Sequence, residues 1–185
     1  MTEPMDGSRG VMAEAVANVA RRINATVEEG KDSLDLSNCK LISFPDGVFK
    51  VLRSVTDNIS VISLADNEMK AISSKLFTTF TQMRELDLQG NVLTKLPDNV
   101  GVMEHLTSIN LANNNFSIFP EKLTEISTLE RINLEGNNIT EIPVEKLSNM
   151  PALKWLNVKS NPLDSNTQSA LQSPHSFDAL MTRES

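Results

Sequence analysis

The chain has 185 residues, enough for one domain with a continuous core and too few to hold two comfortably. Its formal charge of -7 argues against nucleic acid as a partner, because phosphate backbones are held by clustered lysine and arginine. Aromatic residues make up 4% with no tyrosine, so leucine and isoleucine must build the interior; no run approaches the roughly 20 apolar residues of a membrane helix.

Residues 1–10 are polar, without the apolar stretch of a secretory signal, and are read as a flexible N-terminus. A single cysteine, Cys39, cannot form an internal disulfide, and with the missing signal it places the chain in the cytoplasm, the nucleus not excluded. Tripeptides such as Asn115-Phe-Ser and Asn138-Ile-Thr match glycosylation acceptors, but asparagine-rich sequence produces them by chance. Over residues 11–30, Met12, Val16, Val19, Ile23 and Val27 recur at steps of four and three, one face of a helix ending at Gly30. Asn18, Arg21, Arg22 and Glu28 occupy the opposite face. With so few basic residues the helix is a poor membrane anchor and is expected to cap whatever follows it.

From Leu34 onward one phrase recurs six times: two apolar residues flanking a polar one, two more residues, an asparagine, then further apolar positions. Clear copies are Leu86-Asp-Leu88 with Asn91 and Leu93, Ile109-Asn-Leu111 with Asn114 and Phe116, and Ile132-Asn-Leu134 with Asn137 and Ile139. Ile62-Ser-Leu64 with Asn67 and Leu156-Asn-Val158 with Asn161 also fit, and Leu34-Asp-Leu36 fits with Cys39 in the asparagine slot. The slots are 28, 24, 23, 23 and 24 positions apart. An apolar residue three before each strand, Ile59, Met83, Leu106, Leu129 and Leu153, completes the pattern LxxLxLxxNxL. Each copy is a short strand with alternate side chains pointing inward, followed by a sharp turn whose loose backbone groups the asparagine amide can satisfy.

Residues 31–164 thus resemble the leucine-rich-repeat superfamily. Val48-Phe-Lys-Val-Leu-Arg53, Val144-Glu-Lys-Leu147, Met150-Pro-Ala-Leu153 and Phe177-Asp-Ala-Leu-Met181 look more closely like one small family within it, that of leucine-rich repeat-containing protein 20. The resemblance implies an α/β solenoid of about six repeats with a concave parallel sheet and an N-terminal capping helix, and it brings no catalytic activity with it.

Between strands, Pro97 with Val100 and Met103, Pro120 with Leu123 and Ile126, and Pro143 with Leu147 and Met150 read as one or two helical turns on the convex side. Repeat two has Ser73 in place of proline but keeps Phe77 and Phe80, and residues Ser54 to Asn58 are expected to bulge as a loop. Residues 165–185 form a C-terminal cap or tail. Polar up to Ser176, the segment carries Phe177, Leu180 and Met181 to close over the sixth repeat, unless it is a docking motif on a free tail.

No set of residues assembles for chemistry. There is no phosphate loop, zinc spacing or HExxH helix, His105 and His175 lie far apart in the chain, and Cys39 fills a structural slot. Asp35, Asp66 and Asp87 read as a solvated acidic face, not a calcium site. No catalytic residue, metal or cofactor is expected.

Stacking the strands aligns their polar residues in columns on the concave face. One runs Ser33, Val61, Glu85, Ser108, Arg131, Trp155, and the next Asp35, Ser63, Asp87, Asn110, Asn133, Asn157. From these, Glu85, Asp87, Ser108, Asn110, Arg131, Asn133, Trp155 and Asn157 are the candidate protein-binding residues, with Trp155 beside Arg131 as the strongest pair because both types are enriched at interface hot spots. The chain reads as a monomeric, non-catalytic scaffold or adaptor for a protein partner, with a regulatory subunit of an enzyme as the alternative; neither membrane nor nucleic acid is expected as a partner.

Overall fold

In the computed structural model, which describes residues 7–182 and side chains from Val16 onward, seven parallel strands form one sheet in sequence order. The six expected strands are β1 (Ser33–Asp35), β2 (Val61–Ser63), β3 (Glu85–Asp87), β4 (Ser108–Asn110), β5 (Arg131–Asn133) and β6 (Trp155–Asn157). Their register pairs Ser33 with Val61, Val61 with Glu85, and so on to Arg131 with Trp155, the alignment that the repeated phrase requires. Leu34, Ile62, Leu86, Ile109, Ile132 and Leu156 point inward and are at most 2% exposed. Each such side chain removed from water contributes about 1.5–3 kcal/mol, and no single repeat could hide its own row without a neighbour on either side.

The slot asparagines form a ladder through the turn after each strand. Asn114 accepts from Leu93 N–H through Oδ1 (3.0 Å) and donates through Nδ2 to the carbonyls of Leu88 (2.9 Å), Leu111 (3.1 Å) and Ala112 (3.2 Å). Asn67, Asn91, Asn137 and Asn161 repeat the arrangement, each tying its own turn to the preceding one. The residue just before each slot is left-handed: Asn38, Asp66, Gly90, Asn113, Gly136 and Ser160 all have φ between 53° and 73°. Glycine, asparagine and aspartate are the residue types that tolerate that conformation, through the missing side chain or local hydrogen bonding, and Ser160 is the one departure. Gly136 has a second reason, because a Cβ there would stand 2.3 Å from Asn113 Oδ1. Gly136→Ala is therefore expected to lower stability by about 1–2 kcal/mol. Gly47→Ala, in a helix and facing open space, should instead raise it by about 0.5–1 kcal/mol. Urea midpoints of the two variants check the opposite signs.

The convex side consists of short helical turns: α2 (Asp46–Val51), α3 (Lys75–Thr79), 3-10 turns at Asp98–Val102 and Glu121–Glu125, and α4 (Val144–Ser148). Pro45, Pro97, Pro120 and Pro143 stand immediately before their turns. The residues expected to bulge around Ser54 to Asn58 include a 3-10 turn, Thr56–Asn58, and Val55 packs against the core. Phe44, Phe49 and Phe80 meet there, with ring centroids 4.8, 6.1 and 6.3 Å apart, joining the first repeat to the second.

Both ends go beyond what the periodicity conveyed. Helix α1 spans Gly7–Glu28, and its Val19 and Ile23 are buried, as expected of a cap. Residues 1–6 of the expected flexible segment and the Met12 side chain lie outside the described residues. Val16 is a correction: it is 68% exposed, whereas Asn18, two residues on, reaches the first repeat through Nδ2 to Cys39 Sγ at 3.5 Å. The opposite face, through Asn18 and Arg22, also does structural work. Arg22 donates to the carbonyls of Asp35 (3.2 Å) and Ser37 (2.7 Å), and Thr26 donates to that of Ser33 (3.0 Å), so α1 satisfies the open edge of β1.

At the other end the polar stretch is a helix, α5 (Ser165–Gln172), with the Asp164 carboxylate accepting from Thr167 N–H at 2.7 Å as its N-cap. Leu171 and Phe177 are buried, and Asp178–Leu180 forms a seventh strand, β7, in register with β6. The lid is thus a continuation of the sheet. Arg183 to Ser185 lie outside the described residues.

Candidate functional site

The concave surface is a consequence of the register. Glu85, Ser108, Arg131, Trp155 and Asp178 stand side by side on β3 to β7, and Asp87, Asn110, Asn133, Asn157 and Leu180 form the adjacent row. These two rows hold all eight sequence-derived candidates, together with Asp178 and Leu180, which β7 adds.

The second row is largely used by the fold. Each of its four polar members accepts a hydrogen bond from the N–H two residues on: Asp87 from Gln89 (3.0 Å), Asn110 from Ala112 (3.0 Å), Asn133 from Glu135 (3.1 Å) and Asn157 from Lys159 (3.1 Å). Asp35 and Ser63 do the same upstream. This side-chain-to-backbone turn ends each strand, which is why every copy carries a short acceptor there. Asn110 also donates to Gln89 Oε1 (2.9 Å) and Asn157 to Glu135 Oε2 (3.0 Å). Asn157, read from the sequence as solvent-facing, is buried at 5% exposure beside Leu180 and has both halves of its amide engaged.

The first row is freer. Glu85 and Arg131 are exposed, while Ser108 and Trp155 are half-buried. The Arg131 guanidinium carbon lies 4.3 Å from the centroid of the Trp155 ring. That stack holds a long, flexible cation in one place on an aromatic surface and leaves its outward N–H donors to a ligand.

Electrostatic perturbation is concentrated at the N-terminal end. Burial raises the Asp35 carboxyl, but hydrogen bonds from Ser37 and the Arg22 guanidinium outweigh it and hold the group below its ordinary value. Burial pushes the Cys39 thiol up, against the opposing effect of Arg22. The thiol is thereby kept protonated, which suits a packed turn and not a nucleophile. His105 is exposed in its repeat; His175 donates from Nε2 to the Leu171 carbonyl (2.8 Å) and stacks on Phe177 at 4.3 Å, closing the end of α5. Away from the concave face, Ile118 is 76% exposed between two open clefts, one of about 310 Å³ lined by Leu96, Phe119 and Lys122 and one of about 200 Å³ lined by Thr140 and Ile142. Among the described residues no helix is long and apolar enough to cross a membrane.

Residues 57–116, 81–139 and 104–163 match the family model for the leucine rich repeat, in three overlapping windows. The chain is 51% identical over 173 residues, 94% of each chain, to leucine-rich repeat-containing protein 20 of Mus musculus, and equally so to that of Homo sapiens. Among solved structures it is similar to the LRR domain of a Shigella effector, with TM-score 0.59 and 18% identity over 91% of this chain and 89% of the other. It is also similar to an LRR protein of Leptospira interrogans, with TM-score 0.62 and 23% identity over 72% of this chain and 32% of that one. At such identities the two structures share the fold alone.

Proposed function

The chain belongs to the leucine-rich repeat family, whose domains generally bind proteins, and from that premise we propose that it is a non-catalytic scaffold or adaptor holding a protein partner on its concave face. The observation that carries this reading is the Arg131 guanidinium stacked on Trp155 in the freer of the two concave rows. Tryptophan and arginine bring large contact area and directional hydrogen bonding at small entropic cost, and such residues dominate binding energy where they cluster. A scaffold is favoured over an enzyme by the dispersal of the groups that could do chemistry: the Cys39 thiol is packed in a turn with its pKa raised, and His175 is committed to closing α5. An unpaired, buried Cys39 suits a reducing compartment, so the proposed place of action is the cytoplasm or the nucleus.

Affinity capture from cell lysate, with the unaltered chain beside an Arg131→Ala, Trp155→Ala double variant of unchanged circular dichroism, tests the reading. A partner held by the first should be lost by the second; retention of the same partners by both would move the site to another face.

A further inference from the structure

The row through β3 to β7 has an alternation of charge that its use as a general contact surface does not require. Glu85, Arg131 and Asp178 are negative, positive and negative, each two strands from the next, and all three are exposed. None belongs to an ion pair among the described residues. In the row one residue upstream, by contrast, Glu130 and Lys154 are paired at 2.7 Å, and on the convex side Lys146 pairs with Glu121 at 3.0 Å. Some of the charges around this row are thus paired within the fold, while the three in the row itself are left open.

We propose, resting on the concave-face reading above, that this row is a track for an α-helical segment of a protein partner. The helix would carry a cation, an anion and a cation at positions i, i+7 and i+14, with an apolar residue at i+10 or i+11 over Trp155. Spacing selects the helix. Adjacent strands lie roughly 4.8 Å apart, so the charges stand roughly 9.6 Å apart along a line across the sheet. Seven helical residues rise roughly 10.5 Å and return to the same face, leaving a mismatch of about 1 Å that a lysine or arginine stem absorbs. An extended chain returns to the same face every roughly 6.6 Å, so it meets the first charge and misses the second by about 3 Å. The apolar position follows from the same count, since Trp155 is one strand, or about one helical turn, beyond Arg131. Exposed ion pairs contribute little strength individually; three in alternating sign set register and repel the opposite charge pattern, and the off-centre apolar position over Trp155 sets the direction of the helix.

The probe is a display library of helical peptides of about 18 residues, long enough to cover i to i+14, randomised along the facing positions. It is selected on the unaltered chain and on a charge-reversed Glu85→Lys, Arg131→Glu, Asp178→Lys variant, and selected peptides are titrated against Trp155 fluorescence. Cation–anion–cation peptides should dominate the first selection and anion–cation–anion peptides the second, each preferring its own target at least tenfold. The neutral Glu85→Gln, Arg131→Gln, Asp178→Asn variant should lose the preference while keeping its fold. Peptides that perturb Trp155 without this charge pattern, or the same peptides on both targets, would overturn the helix register and leave the concave-face reading intact. An absence of selected peptides would likewise overturn the register. Selected peptides that leave Trp155 unperturbed and still bind the Arg131→Ala, Trp155→Ala variant would overturn both.

Discussion

Asn114→Ala is expected to lower the unfolding free energy by about 3 kcal/mol, since a buried polar group left without its partner costs about 1–3 kcal/mol and more than one is exposed to that loss. Leu93 N–H loses its acceptor, and the carbonyls of Leu88 and Leu111 each lose a donor, in a turn where Asn114 is only 4% exposed. The matching substitution in the first slot, Cys39→Ala, should cost about 1 kcal/mol or less. There the sulfur makes only long contacts, at 3.4 and 3.5 Å, and the backbone N–H is already held by Asn67 Oδ1 at 2.9 Å. Urea denaturation of the two variants tests the difference, and equal losses would show that the ladder does not carry this energy.

Phe80→Ala should cost about 3–5 kcal/mol, the range for emptying a buried aromatic site. Phe80 is fully buried, with its ring 6.3 Å from Phe44 and 6.1 Å from Phe49. Because each repeat of a solenoid contacts only its neighbours, the damage should be regional. Hydrogen exchange is expected to accelerate first in α1 and β1 to β2, with β4 to β6 protected longer. A uniform loss of protection along the sheet would contradict a stepwise solenoid and point to all-or-none unfolding.

Part of the candidate surface is legible in the sequence. Neighbouring copies share one register, so the adjacency of Glu85, Ser108, Arg131 and Trp155 is a matter of counting from slot to slot. Asp178 was not, because the segment around it lacks the asparagine slot and its strand is recognisable only by its pairing with β6. The sequence did contain an overlooked signal for the second row. Asp35, Ser63, Asp87, Asn110, Asn133 and Asn157 are all short side chains with an oxygen acceptor, a uniformity that a turn-forming role demands and a binding surface does not. The left-handed position before each slot, filled by Asn38, Asp66, Gly90, Asn113, Gly136 and Ser160, carries a signal of the same kind.

The period, the strands, the inward leucines and the slot asparagines are determined by the sequence alone, because each is a local pattern that a repeat imposes again on its neighbour. What the tertiary structure decided is which polar groups remain free. Arg22 and Thr26 are taken up by the edge of β1, Asn157 by Glu135 and Lys159, while the Arg131 and Trp155 side chains stay together at the surface. Such ownership depends on groups that come within hydrogen-bonding distance only after the solenoid has closed at both ends, and no spacing along the chain encodes it by itself.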